Sequence, residues 1–68
     1  MKTTLPSTID IELDGITNIG EVECIEIPDV YIFPYWGFKV YYNRDYKTLI
    51  YKTQEEADND RNWLIANK

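Results

Sequence analysis

The sequence predicts an α+β fold: an antiparallel meander of three to five strands with one C-terminal helix packed on one face. Three observations carry that reading. Short runs of alternating apolar and polar residues have the period of two that marks half-buried strands. Turn-forming residues separate those runs, at Asp14-Gly15, Gly20, Pro28-Asp29 and Asn43-Arg44-Asp45. A helix-start signature, Thr53-Gln54-Glu55-Glu56, follows the last of them. Strands followed by a single helix give α+β rather than a parallel βαβ layout. The 68 residues make one domain, divided into a flexible arm over 1–7, a sheet over 8–52 and a helix over 54–66.

Taken in order, Ile9-Asp10-Ile11-Glu12-Leu13 alternates apolar and acidic residues and predicts the first strand. Residues 14–20 read as one loop, because only Ile16 and Thr17 lie between the turn signals Asp14-Gly15 and Asn18. Glu21 to Ile27 predicts the second strand, but its pattern slips: Val22 and Cys24 share one parity, Ile25 and Ile27 the other. A bulge near Cys24–Ile25 would bring both pairs to the core side, and burial on both faces is the alternative. Val30 to Phe33 is β-branched and aromatic, hence strand-like. Pro34 cannot donate to a ladder, so Tyr35-Trp36-Gly37 reads as a kinked connection. Phe38 to Tyr42 resumes alternation with Phe38, Val40 and Tyr42 on one face. Asn43-Arg44-Asp45 forms a hairpin tip, and Lys47 to Lys52 returns with Leu49 and Tyr51 facing the core. Thr53 caps the helix, and Ala57, Leu64 and Ile65 form its apolar face with Trp63 at the margin. Asp60 and Arg61 interrupt that stripe, and the Arg61 stem is expected to cover apolar surface while its head reaches water.

A chain of this size buries only about 60% of its unfolded surface, so it needs a dense core, a cross-link or a partner. One cysteine, Cys24, excludes an internal disulfide, and with no histidine the Cys/His zinc sites of about four ligands are excluded too. Cys24 lies among Val22, Ile25 and Ile27 and is expected to be an inert buried thiol. No run approaches the roughly 20 apolar residues of a membrane span, and the first residues lack a signal-peptide pattern. These features point to a cytosolic setting. The net charge of −5 is uneven. Residues 1–38 carry −6, residues 39–52 carry +3, and residues 53–68 carry −2.

Catalysis is not expected. General acid–base work at neutral pH falls mostly to histidine, which is absent, and Ser7 lies in the arm without an adjacent base. No glycine-rich phosphate loop occurs, and no cofactor is expected. Asp58-Asn59-Asp60-Arg61-Asn62 opens like a calcium loop, but Trp63 stands where that loop needs glycine, so no metal is expected. Asp10, Glu12 and Asp14 project from one strand face about 6.6 Å apart, too far for a shared ion.

The aromatic residues carry the functional expectation. Nine of the ten fall between Tyr31 and Tyr51, more than one small core can hide. Tyr35 and Trp36 on the kink, Tyr41 beside Lys39, and Tyr46 at the tip are expected at the surface. With Lys39, Arg44 and Lys47 they form a candidate partner-binding patch. The expected function is therefore non-enzymatic: binding another macromolecule through that patch, with a protein as partner, a second copy of the chain included. The alternative is nucleic-acid binding through the basic, aromatic hairpin 39–52, which the acidic average disfavours.

The junction Tyr51-Lys52-Thr53-Gln54-Glu55-Glu56-Ala57 resembles the strand-to-helix step in small three-stranded-sheet-plus-helix DNA-binding domains of the integrase-arm type. The likeness runs from Trp36 to Ile65, and the acidic N-terminal half departs from those basic domains. In size, acidity and fold class the chain is also similar to small phage and mobile-element inhibitors. That likeness implies an inhibitor or adaptor whose carboxylates Asp10, Glu12, Asp14, Glu21 and Glu23 form an acidic sheet face.

Overall fold

A computed structural model describes residues 1–26 and 34–68. The predicted strand Val30–Phe33 and the Pro28-Asp29 turn lie outside the described residues. The elements are β1 (Lys2–Thr4), β2 (Asp10–Glu12), β3 (Ile16–Ile19), β4 (Glu23–Ile25), β5 (Tyr35–Tyr42), β6 (Asp45–Tyr51) and α1 (Gln54–Asn67). Every strand pair among the described residues is antiparallel, and the one described helix is C-terminal, so the fold is the α+β arrangement that alternation and the capping box predicted.

β5 is the spine of the main sheet. β6 runs along one side of it, from Tyr42↔Asp45 to Trp36↔Tyr51. β3 and β4 share the other side end to end. β3 meets the C-terminal half of β5, and β4 pairs Glu23↔Gly37, Cys24↔Trp36 and Ile25↔Tyr35. Between them the Gly20 amide donates to the Lys39 carbonyl at 2.7 Å, so β3 and β4 act as one interrupted strand.

Three expectations for the sheet are corrected. Residues 14–20 are not one loop: Gly15, at φ 87°, closes the turn, and β3 follows at once. The apolar pair Ile16 and Ile19 is three apart, which hides the alternation. Its cause is a bulge: Ile16 faces Tyr42 and Asn18 faces Tyr41, so Thr17 is the extra residue. The slip expected at Cys24–Ile25 is absent, because β4 keeps regular register across both residues. Tyr35-Trp36-Gly37 is not a kink but the start of β5. Pro34 stands just before the strand, where its missing N–H costs no ladder bond.

Residues 1–7 are likewise not a flexible arm. β1 pairs with β2 in a two-stranded sheet, Lys2↔Glu12 to Thr4↔Asp10. Leu5 and Ile11 from this hairpin are buried, 2% exposed each. Burying two such side chains contributes roughly 1.5–3 kcal/mol apiece, which holds the segment down. The hairpin is joined to the sheet by the Tyr42 hydroxyl, which donates to the Glu12 carbonyl at 2.7 Å. Its loop bends at Thr8, whose φ of 72° is left-handed, a strained setting for a β-branched residue.

The helix begins with the Thr53 half of the capping box. Thr53 is extended, at φ −129° and ψ 152°, and its Oγ1 accepts from the Glu56 amide at 3.2 Å. Ala57 and Leu64 face the sheet, where they meet Phe38, Val40, Leu49 and Tyr51 in one buried cluster. The Phe38 and Tyr51 rings stack at 5.9 Å and 11°. Ile65 departs from expectation and is exposed. The helix turns Asp60 inward instead, at the position between Ala57 and Leu64, and this rotates Ile65 toward water. Arg61 does more than lay its stem on apolar surface: its Nε donates to the Gly20 carbonyl at 2.7 Å, pinning the β3–β4 joint.

Candidate functional site

Strand pleating divides the seven residues of the predicted patch between two faces. On β5 the even positions Trp36, Phe38, Val40 and Tyr42 turn toward the helix, and the odd positions Tyr35, Gly37, Lys39 and Tyr41 turn away from it. On β6, Leu49 and Tyr51 face the helix, so Tyr46, Thr48 and Ile50 face away. Among the described residues, no helix covers the outer face. Register sets Tyr41 opposite Tyr46 and Lys39 opposite Thr48.

Tyr41, Tyr46 and Lys39 come together there. The two rings sit 6.1 Å apart at 45°, and the Lys39 ammonium lies 5.1 Å above the Tyr46 ring centre. Tyr46 is 55% exposed and Tyr41 36%. Tyr35 shares the face but stands six residues from Tyr41, about 20 Å along the strand. Arg44 is exposed at the hairpin tip.

Two predicted members do not join them. Trp36 lies on the helix side, half-buried against the core. The kink that was to expose it does not exist, and strand parity decides its direction. Lys47 is exposed but pairs with Val40, so its side chain leaves the sheet on the helix side, away from the Lys39–Tyr46 contact.

Alternation alone missed three neighbours on the outer face. Ile50 is 45% exposed there. Ile25 reaches it because β4 is in register with β5, and its Cδ1 lies over Gly37. Glu23, with Gly20, Glu21, Lys39 and Tyr41, lines a shallow cleft of about 90 Å³. The signal for Ile50 was present in the sequence, since it alternates with Leu49 and Tyr51. That for Ile25 and Glu23 was not, because it depends on which half of β5 receives β4.

Cys24 is exposed rather than buried. It pairs with Trp36 at the sheet corner, while α1 packs mainly on β5, β6 and β3, so its side of β4 goes uncovered. The proposed acidic face is also broken up. Asp10, Glu12 and Asp14 belong to the β1–β2 hairpin and its exit, where Asp10 accepts from Thr4 and the Met1 amine contacts Glu12 and Asp14. Glu21 and Glu23 lie on the main sheet instead.

A second cluster was not anticipated. Asp60 is wholly buried, and its carboxylate accepts from the Tyr51 hydroxyl at 2.6 Å, from the Ser7 amide at 3.2 Å and from the Ser7 hydroxyl. A cleft of about 110 Å³ lined by Pro6, Ser7, Glu56, Asn59 and Asp60 opens beside it. The three donors are satisfied by one carboxylate, and no buried side-chain polar atom among the described residues lacks a partner; the cluster is a clasp between the N-terminal loop, β6 and α1. Burial, reinforced by the hydrogen bond to Asp60, pushes the Tyr51 phenol far above its ordinary value of 10.0. An acid with a raised folded value favours the native state below its unfolded value and loses that advantage above it. Stability is therefore expected to hold to about pH 10 and to fall beyond it as the unfolded phenol ionises. Urea midpoints from about pH 8 to about pH 11 check this, and a flat profile contradicts it.

Searches of protein-family models, curated proteins and solved structures returned no match to this chain. No described helix is long and apolar enough to cross a membrane. Among the described residues no group of three or more potential ligands is arranged to hold a metal ion.

Proposed function

We propose that this chain is a non-enzymatic interaction protein, an adaptor or inhibitor, that engages a protein partner through the bare face of its sheet. The observation that carries the reading is the Tyr41–Tyr46–Lys39 cluster, two solvent-exposed rings and a cation held in contact on the face opposite the helix. Tyrosines have few rotatable bonds to immobilise on binding, and their rings bury large area while the hydroxyl stays wet. Ile50 and Ile25 extend the apolar part of that surface toward the other end of the sheet.

Charge placement favours a protein over nucleic acid. Lys39 shares its cleft with Glu21 and Glu23, which would repel a phosphate backbone, and Lys47 leaves by the other face. The cations of the hairpin thus do not line one groove with the rings, as stacking on single strands requires.

Changing Tyr41 and Tyr46 together to alanine is expected to weaken capture of the partner at least tenfold, as for paired interface anchors of about 1–2 kcal/mol. Stability should move by under about 1 kcal/mol, because neither ring is in the core. Trp36→Ala is the contrast: roughly 2 kcal/mol of stability is lost, since its ring packs on the core. Calorimetry with the partner captured by the unaltered chain gives the affinity, and thermal melts give the stability. Unchanged affinity in the double variant overturns the reading.

A further inference from the structure

The hydrogen-bond directions of β5 determine what β6 leaves unused. The Lys39 carbonyl accepts from the Gly20 amide at 2.7 Å, and the Tyr41 carbonyl accepts from the Thr17 hydroxyl at 3.2 Å. The odd residues of β5 therefore turn their main chain toward β3 and β4. Main-chain direction alternates along an antiparallel strand, so Trp36, Phe38, Val40 and Tyr42 turn toward β6, where their register partners are Tyr51, Leu49, Lys47 and Asp45. It follows that the amides and carbonyls of Tyr46, Thr48 and Ile50 point out of the sheet, where the Tyr46 amide already donates to Asp45 Oδ1 at 2.8 Å and the Thr48 and Ile50 amides meet no acceptor among the described residues. Among the described residues no strand pairs with that side. The side chains of these three residues are exposed, on the same face as the Tyr41–Tyr46 pair.

The surroundings of this edge are basic in an acidic chain. Residues 39–52 hold Lys39, Arg44, Lys47 and Lys52 against Asp45 alone, a net of +3 where the whole chain carries −5. These cations are spread around the edge: Lys39 above the Tyr46 ring, Arg44 at the tip, Lys47 on the helix side and Lys52 just past the strand end. Two copies joined along β6 would bring two such hairpins together, and like charges oppose that pairing. An acidic strand meets like charge on this hairpin only at Asp45, the first residue of β6.

We infer that the edge of β6 left unpaired by the described strands receives an extended, acidic segment of a partner protein, which adds to the sheet as a further strand. This rests on the reading of the outer face as partner-binding and specifies how the partner docks. Main-chain bonds to the Tyr46 carbonyl and to the amides and carbonyls of Thr48 and Ile50 would supply affinity, alternate apolar side chains would lie against the Tyr46 ring and Ile50, and carboxylates would meet the cations.

The test uses a blocked seven-residue peptide alternating glutamate and valine, its lysine-for-glutamate counterpart, and the full chain labelled with nitrogen-15. The acidic peptide is expected to shift the Thr48 and Ile50 amides saturably and to slow their hydrogen exchange, while the lysine peptide does neither. Thr48→Pro removes one outward amide without removing a bond to β5, so the fold should persist while peptide affinity falls at least about tenfold. If that variant does not fold, exchange at the Thr48 and Ile50 amides of the unaltered chain decides the matter. No shift at those amides with about 1 mM acidic peptide overturns the inference, and so does equal binding of both peptides. A concentration-dependent dimer in sedimentation, with the edge already protected, also overturns it and assigns the edge to a second copy. If the Tyr41 and Tyr46 variants still weaken partner capture while the peptide leaves the edge untouched, only the docking mode falls and the face reading stands.

Discussion

Replacing Asp60 with alanine is expected to lower stability by about 3–5 kcal/mol, because three donors lose their acceptor in a buried place. The Tyr51 hydroxyl, the Ser7 amide and the Ser7 hydroxyl all end on this carboxylate, and Asp60 is fully buried. A domain of this length has a total stability of roughly 3–10 kcal/mol, so the variant should be largely unfolded or close to it. Asp60→Asn keeps one acceptor oxygen and loses the charge, and an intermediate loss is expected. Tyr51→Phe removes one donor together with its demand, so it should cost less than Asp60→Ala. Urea denaturation followed by tryptophan fluorescence measures all three. A loss under about 1 kcal/mol for Asp60→Ala would show that water replaces the carboxylate, contrary to the clasp described here.

The second large effect is expected at Gly37, the third residue of the β5 spine. A Cβ there would lie 2.1 Å from the Leu49 carbonyl oxygen and 2.8 Å from Ile25 Cδ1. Ile25 has rotamers with which to retreat, but the Leu49 oxygen belongs to the backbone of β6, and moving it strains the β5–β6 ladder. Gly37→Ala should therefore cost roughly 3 kcal/mol, at the upper end of overpacking penalties. It should also speed hydrogen exchange along β6 more than along β1 and β2. A melting temperature equal to that of the unaltered chain would contradict the close approach.

These two positions also show what a sequence discloses and what it withholds. The alternation Phe38-Val40-Tyr42 against Leu49-Tyr51 was legible because each strand has one wet face, and burial bears that parity out. The helix start was legible because a capping box is local chemistry. Thr17 defeated the same method, since one bulged residue turns an alternating strand into an apparent loop. Asp60 was readable only as an interruption of an apolar stripe, because its partners lie 9 and 53 residues away in the chain. Half of the candidate site was visible for the same reason that the core was: Lys39 and Tyr41 have the parity opposite to Phe38 and Val40. Pro34 stands ahead of β5 rather than breaking it, so strand parity turns Trp36 to the helix side, and the same parity across the hairpin sends Lys47 there too.

The Ser7–Asp60 link has a consequence for the order of folding. It closes a loop of 53 residues, whereas the β5–β6 hairpin turns through Asn43 and Arg44 alone and α1 follows it directly. Loop-closure entropy favours the local unit as the nucleus, with the β1–β2 segment docking after the main barrier. Substitutions at Ser7 should then accelerate unfolding with little change in the refolding rate, whereas substitutions at Phe38 or Leu49 should slow refolding.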